Sequence, residues 1–296
     1  MIKYTIIIPH HNIPELLKRC IDSIPNNPEI QIIVVDDNSK DGNNYLKKYS
    51  FLNRDNLLFI STKEGRGAGY ARNIGLSKAK GKWLLFADAD DFFTNDFLDL
   101  IEENYNSEAD VIFFNVRSVY SDNITQEGER NIAKQKLFNE YKQTGYKDNF
   151  RLRYPEPWGK MIKHDLVLKN NIRFDETRVA NDYYFSVKVG CLAQKIKVVD
   201  KPLYVITVRR GSLSYLYGDT KDKLITRIEV GVRVYKFISK KGFNENPMPI
   251  RGLMVLLLKH YPFTFLYKLI ELSFKGIPIY TLLYQIFSPK YRNSND

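Results

Sequence analysis

Apolar positions in the first 115 residues follow two periods in turn. Residues 4–8 are a β-rich run ended by Pro9. Ile13, Leu16, Leu17, Cys20, Ile21 and Ile24 then recur at the spacing of one helical face, which predicts an amphipathic helix. Residues 30–35 form an unbroken apolar run, the mark of a strand buried on both faces. Asp36-Asp37-Asn38-Ser39 closes it, and a helix is expected from about Asp41. The same reading predicts strands at 57–60, 83–87 and 111–115, and helices at 68–79 and 96–105. Strand–helix alternation of this kind implies an α/β fold, a mainly parallel sheet flanked by helices. Ligands of such sheets bind beyond the carboxyl ends of the strands. The polar clusters at 9–12, 36–39 and 88–91 each follow a strand, so they are expected to converge on one site.

The pattern changes further along. Residues 116–155 are polar and weakly periodic, which suggests an excursion or lid, and a mixed segment runs from Trp158 to about Ser214. From Asp219 it becomes helical, with apolar runs at 253–258, 263–272 and 277–287 broken by Pro262, Gly276 and Pro278. The expected organisation is a domain at 1–218, with halves 1–115 and 116–218, followed by a basic, aromatic-rich helical extension at 219–296. With 44% hydrophobic residues in 296, the chain has enough apolar material for a large core.

Charge and cysteine content narrow the partners. The net charge of +11 sits almost wholly in residues 201–296, which hold 16 basic and 6 acidic side chains, whereas residues 1–100 hold 13 of each. A nucleic-acid enzyme spreads positive charge over its working face, so no nucleic-acid partner is expected. Cys20 and Cys191 cannot make a disulfide framework or a cysteine-only zinc site, and a reducing compartment fits. The apolar stretch at the start is short for a secretion signal, and no 18-residue run is free of charge. A cytoplasmic protein is expected.

Phe86-Ala87-Asp88-Ala89-Asp90-Asp91 carries the strongest chemical signal. Carboxylates so close repel one another, and a hard divalent cation such as Mg2+ or Mn2+ would offset that repulsion and could hold a pyrophosphate leaving group. Asp91 also suits a helix cap. Asp36-Asp37-Asn38-Ser39 reads equally as a turn or as a nucleotide contact. The Gly65-Arg66-Gly67-Ala68-Gly69 run opens a helix whose backbone N–H groups, with Arg66, could meet phosphate.

Taken together, these segments resemble the family-2 glycosyltransferases, inverting enzymes with the Rossmann-like GT-A fold. The likeness runs through Ile6-Ile7-Ile8-Pro9-His10-His11-Asn12 and Val34-Val35-Asp36-Asp37-Asn38-Ser39-Lys40-Asp41-Gly42. It continues in Gly67-Ala68-Gly69-Tyr70-Ala71-Arg72-Asn73-Ile74-Gly75-Leu76 and the Asp88-Ala89-Asp90 motif, and more weakly in Trp158-Gly159-Lys160-Met161, Asn181-Asp182 and Arg210-Gly211-Ser212. The resemblance implies transfer of a hexose from a nucleotide sugar, UDP-linked by default, to a saccharide or lipid-linked acceptor in surface-polysaccharide synthesis. It implies that Pro9, His11, Asn12 and Gly67 line the donor pocket and that Asp37 bonds the base or ribose. Asp90 would hold the metal, with Asp88 beside it or on the sugar, and Asp182 would be the catalytic base. The family's usual Glu-Asp pair is here Asn181-Asp182, so Glu156, Asp175 and Glu176 stand as alternative bases, and Arg72 and Asn73 read as structural braces.

Trp158 and Lys160 suit an acceptor site, with a buried Trp beside a surface Lys as the alternative. Arg209, Arg210 and Ser212 suit a diphosphate contact or, equally, a solvated basic loop. Basic and aromatic residues on the terminal helices suit an anionic membrane surface on the inner face of the cell membrane, and a homodimer interface is the competing reading. Two other classes are open: a phosphatase, which uses a similar Asp-x-Asp segment but wants Thr or Val where Phe92 stands, and a catalytically impaired nucleotide-sugar-binding or membrane scaffold.

Overall fold

The computed structural model describes residues 1–40, 44–209, 220–243 and 250–276. Four strands, β1 (Tyr4–His10), β2 (Ile30–Asp37), β3 (Leu57–Thr62) and β4 (Trp83–Phe86), pair in parallel in the order β3-β2-β1-β4. Every residue of β1 is buried, because helices cover both faces of the central strands, and so its sequence is continuously apolar. Between these strands lie α1 (Pro14–Asp22), the short α2 (Tyr45–Lys48) and α3 (Ala68–Lys78). Pro14 opens α1, where its missing N–H costs nothing, and Leu17, Cys20 and Ile21 face the core.

Beyond β4 the sheet continues through β7 (Lys160–Lys163), β6 (Val111–Tyr120), β8 (Ile196–Val208) and β5 (Phe92–Phe93). β6 and β8 pair in parallel, whereas β7 runs against both its neighbours and β5 against β8. The helices of this half are α4 (Phe97–Glu103), α5 (Ile132–Thr144), α6 (Asn149–Arg153), α7 (His164–Lys169) and α8 (Tyr183–Leu192). The expected lid at 116–155 is therefore replaced by ordered core structure. β6 runs on to Tyr120, and Leu137, Phe138, Phe150 and Leu152 of α5 and α6 are buried. Its polar positions hid the strand: Asn115 sits at a shift of register between β6 and β8, where its amide donates to Asp200 at 2.6 Å.

Residues Met1–Tyr215 form one compact unit and Leu216–Asp296 a second. The second unit contains α9 (Lys221–Lys240), α10 (Ile250–His260) and α11 (Pro262–Phe274). Leu224, Ile228, Met254, Leu257, Phe265 and Leu272 are buried there. The buried ammonium of Lys268 on α11 donates to Glu229 at 2.6 Å and Glu271 at 2.7 Å. Among the described residues, no helix is long and apolar enough to cross a membrane.

Candidate functional site

Strand order places β1 between β2 and β4, and all three point their carboxyl ends the same way. The chain leaves β1 for β2 on one side, and β4 adds on the other, so a crevice opens at the ends of β1 and β4. Pro9, His10, His11 and Asn12 lie at the end of β1, Asp36 and Asp37 at the end of β2, and Asp88 and Asp90 just beyond β4.

The β1–β2 side is held by a hydrogen-bond mesh. His10 and Asp36 are buried, with Nδ1 of His10 at 2.9 Å from Asp36. Because the Ile13 N–H donates to Nε2 of His10 at 3.2 Å, the proton sits on Nδ1 and is donated to Asp36. Burial alone would raise the Asp36 carboxyl, but hydrogen bonds from His10 and Ser39 outweigh it and hold the carboxyl below its ordinary value. His11, exposed, donates from Nδ1 to the Asp37 carbonyl at 2.8 Å and accepts from Asn12 Nδ2 at 2.8 Å. Asn12, left-handed at φ 55°, donates its N–H to Ser39 Oγ at 2.8 Å and accepts from the Lys40 N–H at 2.9 Å. The ring of His11 is thus fixed at the mouth of the crevice.

Asp37 organises the entrance to α3. One carboxylate oxygen accepts the Arg66 N–H at 3.1 Å and the other the Gly67 N–H at 2.6 Å. Gly67 has φ 93°, a conformation that favours glycine. These N–H groups are thus spent on Asp37 rather than left for a phosphate, and the Arg66 guanidinium pairs with Glu176. The oxygen bonded to Gly67 keeps a lone pair for an outside donor, while the other also takes the Thr62 hydroxyl at 3.5 Å.

The β4 flank is braced more heavily. The Asp88 N–H donates to the Tyr204 hydroxyl at 2.7 Å, and Trp158 stacks on the Tyr204 ring at 5.7 Å. The Asp90 carbonyl accepts from Arg19 at 2.5 Å and Thr207 at 2.8 Å. Asp91 caps no helix: it is buried, and its carboxylate accepts the Thr207 N–H at 2.7 Å. Burial, with Asp90 and Asp88 close by, pushes its carboxyl well up. Burial and Asp88 also raise Asp90, against Arg209, whose guanidinium is 3.9 Å from it.

Asp182 joins this flank from the start of α8. Its own backbone N–H is the hydrogen-bond donor recorded for its carboxylate. Burial raises its pKa to about 6, with Asp88 and Glu156 adding to the rise and Arg72 opposing it. Arg72, buried on α3, is the link: it donates to Asp88 at 2.5 Å and to the Asn181 side chain at 2.9 Å. The reading of Arg72 as a brace did not name these partners. The signal was present, since an arginine on the buried face of a helix needs an acidic or amide partner. Two of the alternative bases carry partners of their own, and the third is held through its backbone. Lys134 bonds Glu156 at 3.0 Å, and Arg66 and Asn73 bond Glu176. The Asp175 N–H donates to the Asn181 carbonyl at 2.9 Å.

Trp158 is buried as a core residue against Tyr204 and Tyr154, and Lys160 is buried too rather than on the surface. The Lys160 ammonium donates to the carbonyls of Tyr154, at 2.6 Å, and Glu156. Burial, with Lys134 adding to the effect, lowers its pKa to about 7 against the pull of Glu156 and Asp182. Lys160 thereby holds the loop that carries Glu156 and Trp158. Tyr204 and Lys134 had no motif to mark them. Arg210 and Ser212 lie outside the described residues.

As a cation site, Asp88 and Asp90 offer hard oxygen donors on partly exposed side chains, with Arg72 paired to Asp88 and Arg209 3.9 Å from Asp90. Among the described residues no group of three His, Cys, Asp or Glu is placed to hold a metal, so the remaining ligands would come from water or a bound diphosphate.

Comparisons with known proteins bear on the family and the fold. The chain is 29% identical to Glycosyltransferase GlyA of Streptococcus pneumoniae over 231 residues, 73% of this chain and 32% of that relative. It is 28% identical over 236 residues to the poly(ribitol-phosphate) beta-N-acetylglucosaminyltransferase TarS of Staphylococcus aureus, 75% of this chain and 39% of the relative. It thus spans about a third of each relative's length. The fold is shared with the crystal structure of S. aureus TarS 1–349 in complex with UDP-GlcNAc, at TM-score 0.62 and 23% identity over 87% of this chain and 71% of that one. It is shared also with the mannosyltransferase PcManGT of Pyrobaculum calidifontis in complex with GDP-Man and Mn2+, at TM-score 0.52 and 18% identity over 98% and 82%. The sheet is accordingly of the expected GT-A type. Residues 5–167, more than half of the chain, match the profile described as glycosyl transferase family 2, and the chain belongs to that family.

Proposed function

We propose that this chain is an inverting glycosyltransferase that moves a sugar from a nucleoside-diphosphate donor, UDP-linked by default, to a hydroxyl of a saccharide or lipid-linked acceptor. Its likeness to TarS, whose name gives poly(ribitol-phosphate) as acceptor, supports a role in cell-surface polysaccharide synthesis. The observation that carries the reading is the junction at Arg72, which ties Asp88, at the end of β4, to the Asn181-Asp182 segment. In this reading a donor-side carboxylate and a carboxyl poised near neutrality serve one site.

In this reading Pro9, His11, Asn12, Gly67 and Asp37 form the nucleotide side of the pocket, with Asp37 accepting from the base or ribose. Asp182 takes the proton from the acceptor hydroxyl as that oxygen attacks the anomeric carbon and the nucleoside diphosphate departs. One displacement inverts the anomeric configuration and needs no second carboxylate as nucleophile. A divalent cation, Mg2+ or Mn2+, held by Asp90 and Asp88 would supply charge neutralisation for the diphosphate. Arg72 keeps Asp88 oriented while holding Asp182 more acidic than burial alone would leave it. Trp158 and Lys160 act on the acceptor side through the loop they stabilise, and Arg210 would meet the diphosphate. The extension at 219–296 holds the enzyme at an anionic membrane surface.

The scaffold reading rests on the missing acidic residue at 181. It is weakened by Arg72, whose bond to the Asn181 amide gives that position a use that needs no charge. The deciding experiment incubates a panel of nucleotide sugars with the protein and Mg2+ or Mn2+. Nucleoside-diphosphate release and the anomeric configuration of the product, read by NMR, are the measurements. Release that needs the metal, with inverted product, is expected. The absence of release from every donor would leave only the binding reading, and a retained configuration would exclude single displacement.

A further inference from the structure

We infer that one face of α11 is the surface through which the protein docks on an anionic lipid bilayer. This deepens the membrane reading above and rests on it. Phe263, Leu266, Tyr267, Ile270 and Phe274 are 87%, 54%, 67%, 59% and 89% exposed. At 3.6 residues per turn they share an arc of about 100°. The opposite side of the same helix carries Phe265, Lys268 and Leu272, all buried within the second unit. The helix therefore packs by one stripe and leaves a second apolar stripe in water, with no charged residue in it. Scattered exposed apolar residues are ordinary; five aligned on one helix are not.

Charge complementarity identifies the occupant. Residues 216–296 hold 13 basic and 6 acidic side chains; exposed Lys259 stands just before the stripe, and exposed Lys275, just after it, pairs with Glu271. Lys268, whose charge would oppose burial of this helix, is turned to the other side and neutralised by Glu229 and Glu271. Three of the five residues are aromatic, which suits the headgroup boundary. A helix of 13 residues is about 20 Å long, too short to span a bilayer but suited to lie in its surface. A protein partner would need a matching apolar groove, whereas a bilayer needs only the stripe and the net positive charge of residues 216–296.

The test uses the full chain, with sedimentation on vesicles of phosphatidylcholine with or without phosphatidylglycerol. The wild type is expected to bind the anionic vesicles at least tenfold better than the neutral ones. The double variant Leu266→Asp/Ile270→Asp is expected to lose that binding at least tenfold while releasing nucleoside diphosphate at the wild-type rate. Tyr267→Trp, a milder change, is expected to show an indole quenched by brominated acyl chains, since native Trp83 and Trp158 are buried. Vesicle binding without such quenching would overturn the inference, because charge elsewhere would then suffice. A wild-type dimer made monomeric by the double variant, with no vesicle binding, would assign the face to a second copy. No binding and no change of mass, with the double variant melting earlier, would assign it to the chain's own packing. Failure of any donor to turn over concerns the proposed reaction and leaves the vesicle result unaffected.

Discussion

Asp182 combines a raised pKa of about 6 with burial that its own backbone N–H and the nearby Arg72 only partly offset. Its folded-state pKa lies above the ordinary 3.8, so the folded chain holds the proton more tightly than the unfolded one. That contribution to stability is fully present below about pH 4 and is lost as the pH rises through about 6, where the ionised group is left poorly solvated. Asp182→Asn is therefore expected to abolish transfer while keeping donor affinity, and to melt later than wild type at pH 7 by roughly 2–3 kcal/mol. The advantage should vanish near pH 4 in thermal unfolding followed by circular dichroism, and turnover of the wild type should fall about tenfold per pH unit below 6. Arg72 lowers the Asp182 pKa and orients Asp88, so Arg72→Met should move the acid limb of the rate profile to higher pH and cost about 2 kcal/mol of stability. Arg72→Lys keeps the charge but loses the fork that reaches Asp88 and Asn181 together. It should restore the position of the limb without restoring the rate.

α3 is the element that joins the two flanks of the crevice. Its first turn carries Gly69, where an added Cβ would stand 1.9 Å from the Asp175 carbonyl oxygen, and Asn73 bonds Phe174 through both its N–H and its carbonyl. The close approach lets Arg72 reach Asn181. Gly69→Ala should therefore push the 175–182 segment away, lowering stability by about 1–3 kcal/mol and the rate of donor turnover more than donor affinity. Comparing the melting temperature, the Kd for nucleotide and kcat checks this. The strands β1 to β4 and their helices were legible because their apolar runs are continuous and each ends in turn chemistry. α5 and α6 were not, since a helix packed by a few residues such as Phe138 and Phe150 leaves a weak period amid polar sequence. The two-residue β5 has no local signature at all; Phe92 and Phe93 become a strand only by pairing with Val205 and Tyr204.

On the scale of the whole molecule, the described site residues all belong to the unit Met1–Tyr215, and most of the excess charge belongs to Leu216–Asp296. A chain ending at Tyr215 should keep a cooperative thermal transition and metal-dependent release from the donor, and lose sedimentation with anionic vesicles; raising the salt concentration should weaken vesicle binding by the full chain in the same assay. The sequence by itself determined the parallel framework, because hydrophobic period and turn chemistry are local properties of a chain; it offered Asp88 and Asp90 as candidates at a strand end, while Asp182 and the role of Asp37 came only from the family resemblance. Only the tertiary structure decided what each polar group spends its bonds on. Asp37 is committed to the Arg66 and Gly67 amides, Lys160 to carbonyls inside the protein, Asp91 to Thr207, and Arg72 to both Asp88 and Asn181. These partners lie as many as 116 residues apart in sequence, and hydrogen bonds and desolvation depend on which atoms the fold brings within a few ångströms, which no spacing along the chain records.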